Sequence, residues 1–132
     1  MKIYISHCSA KKEESLKFSK EEVYPFKLYT ATPLKRFMEK CQQKQVNWAI
    51  FSDLYGVWFP NEKHYWYEKS PNKVSKEEFK YLLNNFNKRL SEYEEIWFYY
   101  NPGRFHQLYK KIISQTKLKD RIKKFTHLIE IQ

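Results

Sequence analysis

Apolar positions along this chain recur with two different periods, and the two alternate. Four short runs are rich in β-branched and aromatic residues: KIYIS (2–6), NWAIFS (47–52), EIWFYY (95–100) and KFTHLIEI (124–131). Each has the length and composition of a strand, and the second is apolar enough to be buried on both faces. Between them the spacing turns helical. Leu34, Phe37, Met38 and Cys41 fall at i, i+3, i+4 and i+7, which predicts a helix over 33–44 with Thr32 as cap and Pro33 in its first turn. Ser75 and Glu78 stand in capping-box spacing ahead of the stripe Phe79, Leu82, Leu83, Phe86 and Leu90, predicting a helix over 76–90. Asn101 and Pro102 open a third, over 102–114, with Phe105, Leu108, Tyr109, Ile112 and Ile113 on its buried face. Strand and helix in alternation predict an α/β fold. The expected form is one three-layer domain over 1–132, with a mainly parallel central sheet of about four strands flanked by helices.

In such sheets the ligand crevice opens beyond the carboxyl ends of the strands. That rule gathers three loops at one edge: 7–12, 52–60 and 101–104. The first, ISHCSAKK, delivers an imidazole, a thiol, a hydroxyl and two ammonium groups within six positions. The second carries Tyr55, Gly56, Trp58, Phe59, Glu62, His64, Tyr65, Trp66 and Tyr67. Such a loop either packs its rings as a cover or offers them for stacking.

Charge narrows the choice of partner. The chain has 25 Lys and Arg against 15 Asp and Glu, a formal +10. The excess concentrates in residues 104–124, where Asp120 is the only acidic residue. A solvated lysine-rich surface explains this as readily as a polyanion does, but a positive field attracts nucleic acid in either case. No apolar stretch approaches the roughly 20 residues that span a bilayer, so no membrane association is expected. Cys8 and Cys41 lie in unlike segments, which argues against a disulfide framework and for a reducing cytoplasm. With two glycines and no phosphate-loop or metal-ligand spacing, neither cofactor nor metal is expected.

The candidate residues follow from their chemistry. Cys8 is a nucleophile if a cation or helix start stabilises its thiolate, and otherwise a small buried side chain. Ser9, Lys11 and Lys12 suit a phosphate or carboxylate. His7 is a possible general acid or base, and strand alternation predicts that only one of His7 and Cys8 faces the crevice. Glu62 and Asp53 are the acidic candidates. For Asp53 a turn cap after Ser52 is the favoured role; Glu62 suits reading a base edge or holding an amine. Ser52, Tyr55, Gly56 and Trp66 would line the pocket, and Asn101 and Arg104 would supply an anion site at a helix start. His106 reads first as an exposed side chain.

Cys8-Ser9-Ala10-Lys11-Lys12 after the first strand, with IFSDLYGVWFPNE at the second, resembles the CSxKK-motif domain of archaeosine synthases and its small stand-alone relatives. Archaeosine synthases modify a 7-deazaguanine base in transfer RNA. The resemblance covers roughly residues 1–110 in motif order and implies a fold like that of uracil-DNA glycosylases. EESLKFSKEEVYPF lacks the serine-rich spacing that follows the lysines in that family. The resemblance implies a nucleobase- or nucleotide-recognising domain, and on it Cys8, Ser9 and Glu62 would be the catalytic candidates. The alternative is a non-catalytic basic module that binds nucleic acid. Whether the chain is an enzyme, and its oligomeric state, stay open on the sequence.

Overall fold

A computed structural model of the chain describes residues 1–100 and 104–132. Five strands form one sheet: β1 (Lys2–His7), β2 (Asn47–Ser52), β3 (Gly56–Trp58), β4 (Glu95–Tyr99) and β5 (Ile122–Phe125), in the order β3-β2-β1-β4-β5. Among the described residues four α-helices accompany them: α1 (Pro25–Leu28), α2 (Thr32–Lys44), α3 (Lys76–Arg89) and α4 (Gln107–Gln115). β1 pairs in parallel with β2 and β4, β4 pairs in parallel with β5, and only the β2–β3 hairpin is antiparallel. The fold is therefore α/β with a mostly parallel sheet. No described helix is long and apolar enough to cross a membrane.

Pairing explains the apolar runs. β1 lies in the middle of the sheet, and Ile3, Tyr4, Ile5 and Ser6 are all buried. In β2 every residue after Asn47 is buried. Neighbouring side chains in a strand point to opposite faces. From α2, Phe37 stacks on Tyr99 at 5.9 Å and meets Trp48 edge-on. From α3, Phe86 packs on Phe51 and Phe98, and Tyr109 of α4 also reaches Phe51.

Several boundaries depart from expectation. The last strand is Ile122–Phe125, not 124–131, and a 3-10 turn follows at Leu128–Glu130. Phe125, Leu128 and Ile131 recur every third residue, which suits that tighter helix rather than a strand. Glu130 accepts the backbone N–H of His127, and Ile131 is buried. β3, inside the stretch expected to be a loop, is a strand of only three residues; a run so short carries no periodicity. Thr32 is the first residue of α2 and not its cap; Ala31 occupies that position, with no side-chain bond to the helix. α4 starts later than expected. His106 caps it, its Nδ1 accepting the Leu108 N–H at 2.9 Å. Asn101 and Pro102, expected to open that helix, lie outside the described residues. α3 has its expected capping box, with Ser75 Oγ accepting from Glu78 N and Glu78 Oε1 accepting from Ser75 N.

Candidate functional site

β1 and β4 are neighbours, but the chain leaves β1 for β2 on one side and β4 for β5 on the other. Where adjacent strands send their connections opposite ways, a crevice opens at their carboxyl ends. A small cavity of about 120 Å³ lies there, lined by Ser6 to Ser9 from the end of β1, Ala31, Pro33 and Leu34 from the start of α2, Tyr99 from β4, and Arg104. Because Ala31 offers no capping group, the first amides of α2 have no partner from a side chain. Ser9 and Arg104 complete a rim suited to an anion.

Behind Cys8 lies a buried polar cluster. The Cys8 amide extends the β2 ladder by donating to Phe51 O at 3.0 Å. Its sulfur receives the backbone N–H of Asp53 at 3.4 Å and lies 3.3 Å from the Tyr109 hydroxyl. Ser52 Oγ accepts the amides of Leu54 and Tyr55 and donates to the Tyr67 hydroxyl at 3.0 Å. The Tyr67 and Tyr29 hydroxyls are 2.6 Å apart. Lys12 is turned inward by its backbone bridge to Tyr29. Only 6% exposed, it places its ammonium 4.4 Å from the Tyr67 ring centroid. Its one hydrogen bond is to Ala10 O at 3.5 Å, and it has no carboxylate within ion-pair distance among the described residues. Asp53 is 3% exposed, and its Oδ1 has no hydrogen-bond partner among the described residues.

Burial sets the protonation states. It pushes the Asp53 carboxyl above the usual carboxylate range, with the Cys8 thiol and the Lys12 and Lys69 ammoniums pulling the other way. Desolvation, reinforced by Asp53, pushes the Cys8 thiol up to about 11. The phenols of Tyr29, Tyr67 and Tyr109 are held protonated by the same burial. His7 is lowered by desolvation. Its Nδ1–H donates to Cys8 O at 2.7 Å, so the neutral ring carries its proton on Nδ1 and leaves Nε2 as an acceptor. The ring stacks on Tyr109 at 4.7 Å. The cluster thus offers a neutral thiol, a neutral imidazole and a carboxyl raised by burial, with the Lys12 side chain close by. This is equipment for moving protons on a bound polar group more than for a resting thiolate.

The structure brings some of the expected residues together. Cys8, Ser9 and Arg104 share the cavity, and Cys8, Lys12 and Ser52 share the cluster behind it. His7 lines the cavity together with Cys8, contrary to the alternation argument, because β1 ends at His7 and strand alternation ends with it. Lys11 is exposed, with Lys12 as the inward lysine. Gly56 lies against Asn85 of α3 at the start of β3. Tyr55 is occupied on one face by His64, stacked at 4.0 Å, and its hydroxyl donates to Tyr65 O. Trp58, one of the rings expected either to pack as a cover or to stack, is fully buried. Trp66 is half-buried beneath the Lys17 ammonium. Glu62 is engaged by an ion pair with Arg89 and by the Phe59 amide, bonds that brace the hairpin. Asn101 lies outside the described residues.

Asp53 enters the cluster as a buried carboxyl, where capping was the favoured expectation; it is the first charged residue after a nearly apolar strand, at the strand end where ligands bind. Tyr29 and Tyr109 carried no site signal in the sequence, and with Tyr67 of the aromatic loop they converge from three distant segments. Among the described residues, no three His, Cys, Asp or Glu side chains gather as metal ligands.

Thiol chemistry tests this geometry directly. Both cysteines are free and buried, and burial raises Cys41 as well. In the native protein at pH 7.5 neither should react appreciably with a disulfide reagent within minutes, while two thiols should appear in denaturant. Rapid labelling of Cys8 at neutral pH would mean an activated thiolate and overturn the assignment above.

No family model matches the chain, and neither a curated protein nor a solved structure is significantly similar to it.

Proposed function

We propose that this chain is a nucleobase- or nucleotide-recognising domain whose ligand occupies the crevice between β1 and β4. One observation carries the reading. In a chain of formal charge +10, the uncapped start of α2, Ser9 and Arg104 surround a cavity that ends on Cys8, with the buried Asp53 directly behind. The rim suits a phosphate, and the cavity has room for a single planar ring system. The resemblance of Cys8-Ser9-Ala10-Lys11-Lys12 to the archaeosine synthase domain points the same way. On this reading Cys8 contacts the base and exchanges a proton with it, Asp53 acts from behind through Cys8, and the enzyme would be a base-modifying one. The second reading, a non-catalytic basic module, keeps the rim without the chemistry.

The reading also takes the fold as three layers. Contacts of Phe37 with one set of sheet side chains, and of Phe86 and Tyr109 with the alternate set, support α2 on one face and α3 with α4 on the other.

Calorimetric titration with nucleoside monophosphates and free bases tests the proposal. Arg104→Ala should weaken binding of a monophosphate about tenfold or more, the worth of a charge-assisted hydrogen bond, and leave a free base unaffected. Cys8→Ser that binds as well as the wild type but loses turnover favours an enzyme. Absence of binding by every nucleotide and base in the set would dismiss the crevice as their site.

A further inference from the structure

A concavity larger than the crevice, a groove of about 690 Å³, lies between α3 and α4. Its floor is apolar: Phe79 and Leu83 from α3, and Leu108 from α4. Its rim is cationic, with Lys76 and Lys80 on one wall and Lys111 on the other, and no carboxylate lines it. Lys76 and Lys80 are four residues apart on α3, and Gln107, Lys111 and Gln115 repeat every fourth residue on α4. Each set therefore runs along one side of its helix and borders the groove lengthwise.

We infer that this groove holds a stretch of single-stranded nucleic acid flanking the nucleotide in the crevice, an extension that rests on the reading above. Charge complementarity selects a polyanion, since three ammonium groups border the groove and none has an acidic partner among its lining residues. The floor selects one with flat apolar faces, because the Phe79 ring and two leucines offer stacking and packing surface below the lysines. Gln107 and Gln115 add amides that can donate to and accept from base edges. A lipid chain would require a closed apolar channel, and this groove is open and bordered by polar groups. A duplex turns its bases inward and cannot lay them on the floor. The groove also shares its wall with the site: His106, which caps α4 and donates through Nε2 to Asn72 Oδ1 at 2.7 Å, lines it two residues from Arg104.

Fluorescence anisotropy of labelled single-stranded and hairpin-duplex oligonucleotides, across ~50–200 mM salt, tests the inference on the full chain. The wild type should prefer the single strand. Replacing Lys76, Lys80 and Lys111 together with glutamine should flatten the slope of log affinity against log salt by about 2, since each single-strand phosphate contact contributes about 0.7. Phe79→Leu keeps the packing and loses the ring; it should weaken binding about fivefold or more with the slope unchanged. Equal binding by the triple variant and the wild type overturns the groove. So does equal displacement by polyglutamate of matched charge, which would leave only a charged surface or an acidic peptide partner. The two sites fail separately. Mononucleotide binding that depends on Arg104, with oligonucleotide binding indifferent to the lysines, removes the groove and keeps the crevice. The converse pattern removes the crevice.

Discussion

Gly56→Ala should cost this protein about 3 kcal/mol of folding stability, combining left-handed backbone strain with a buried amide losing its partner. Gly56 adopts φ +77°, a conformation that L side chains rarely take. An added Cβ would also stand 2.6 Å from Asn85 Cγ. The Asn85 side chain can swing away, but its Oδ1 accepts the Val57 N–H at 2.8 Å, and that bond goes with it. Denaturant unfolding of the single and double variants separates the two costs. Asn85→Ala in the Gly56→Ala background should cost little more, because the bond is already broken, so the two changes should be strongly non-additive. Simple additivity, or an alanine variant within about 0.5 kcal/mol of wild type, would mean that the hairpin is not locked in this way. The effect belongs to stability: the glycine's left-handed backbone and its close approach to Asn85 hold the start of β3.

Asp53→Asn should do the opposite at neutral pH. Its carboxyl is raised in the folded state, so the folded protein holds that proton more tightly than the unfolded chain does. Stability from this group is then complete below the unfolded value near ~4 and declines as pH rises through the raised folded value. Asparagine removes the ionisation. The variant and the wild type should differ by an amount that stays constant below about pH 4 and then shifts in the variant's favour as pH rises. Thermal unfolding across a pH series reads this as a variant Tm that rises relative to the wild type between about pH 4 and about pH 7. The same variant should lose any turnover that depends on proton transfer at the crevice. A variant that loses stability steadily as pH rises would reverse the assignment of Asp53 as a destabilised buried carboxyl. A functional group held at a cost to the fold is a familiar signature of a site.

Much of the scaffold was legible because it rests on local rules. The stripes at Leu34–Cys41 and Phe79–Leu90, and the Ser75–Glu78 box, specify helices through 3.6-residue spacing and capping alone. The runs at 2–6, 47–52 and 95–100 specify strands, and their alternation with helices implies a mainly parallel sheet. Where the reading slipped, a weak local signal yielded to a neighbour. Lys124 to Ile131 has strand-like composition, yet its strand ends at Phe125 and the chain then turns so that Ile131 is buried. Val57 and Trp58 form a strand only because β2 lies beside them.

The site divides along the same line. Local sequence placed Cys8, Ser9 and the paired lysines at the end of a strand, because strand length and the polar residues after it are encoded in a few neighbouring positions. Tertiary structure alone decided that Lys12 and not Lys11 turns inward, since that depends on a backbone bridge to Tyr29, 17 positions away. It also decided that His64 stacks on Tyr55, that Trp58 is buried in the core, and that Glu62 braces a hairpin through Arg89. Asp53 became a buried carboxyl with an unpartnered oxygen because Cys8, Lys12 and three tyrosines from separate segments close around it. Periodicity reports which residues leave water, but charge, partner and protonation are set by whatever arrives from elsewhere in the chain. Those arrivals are fixed by the order of strands in the sheet, which no local pattern encodes.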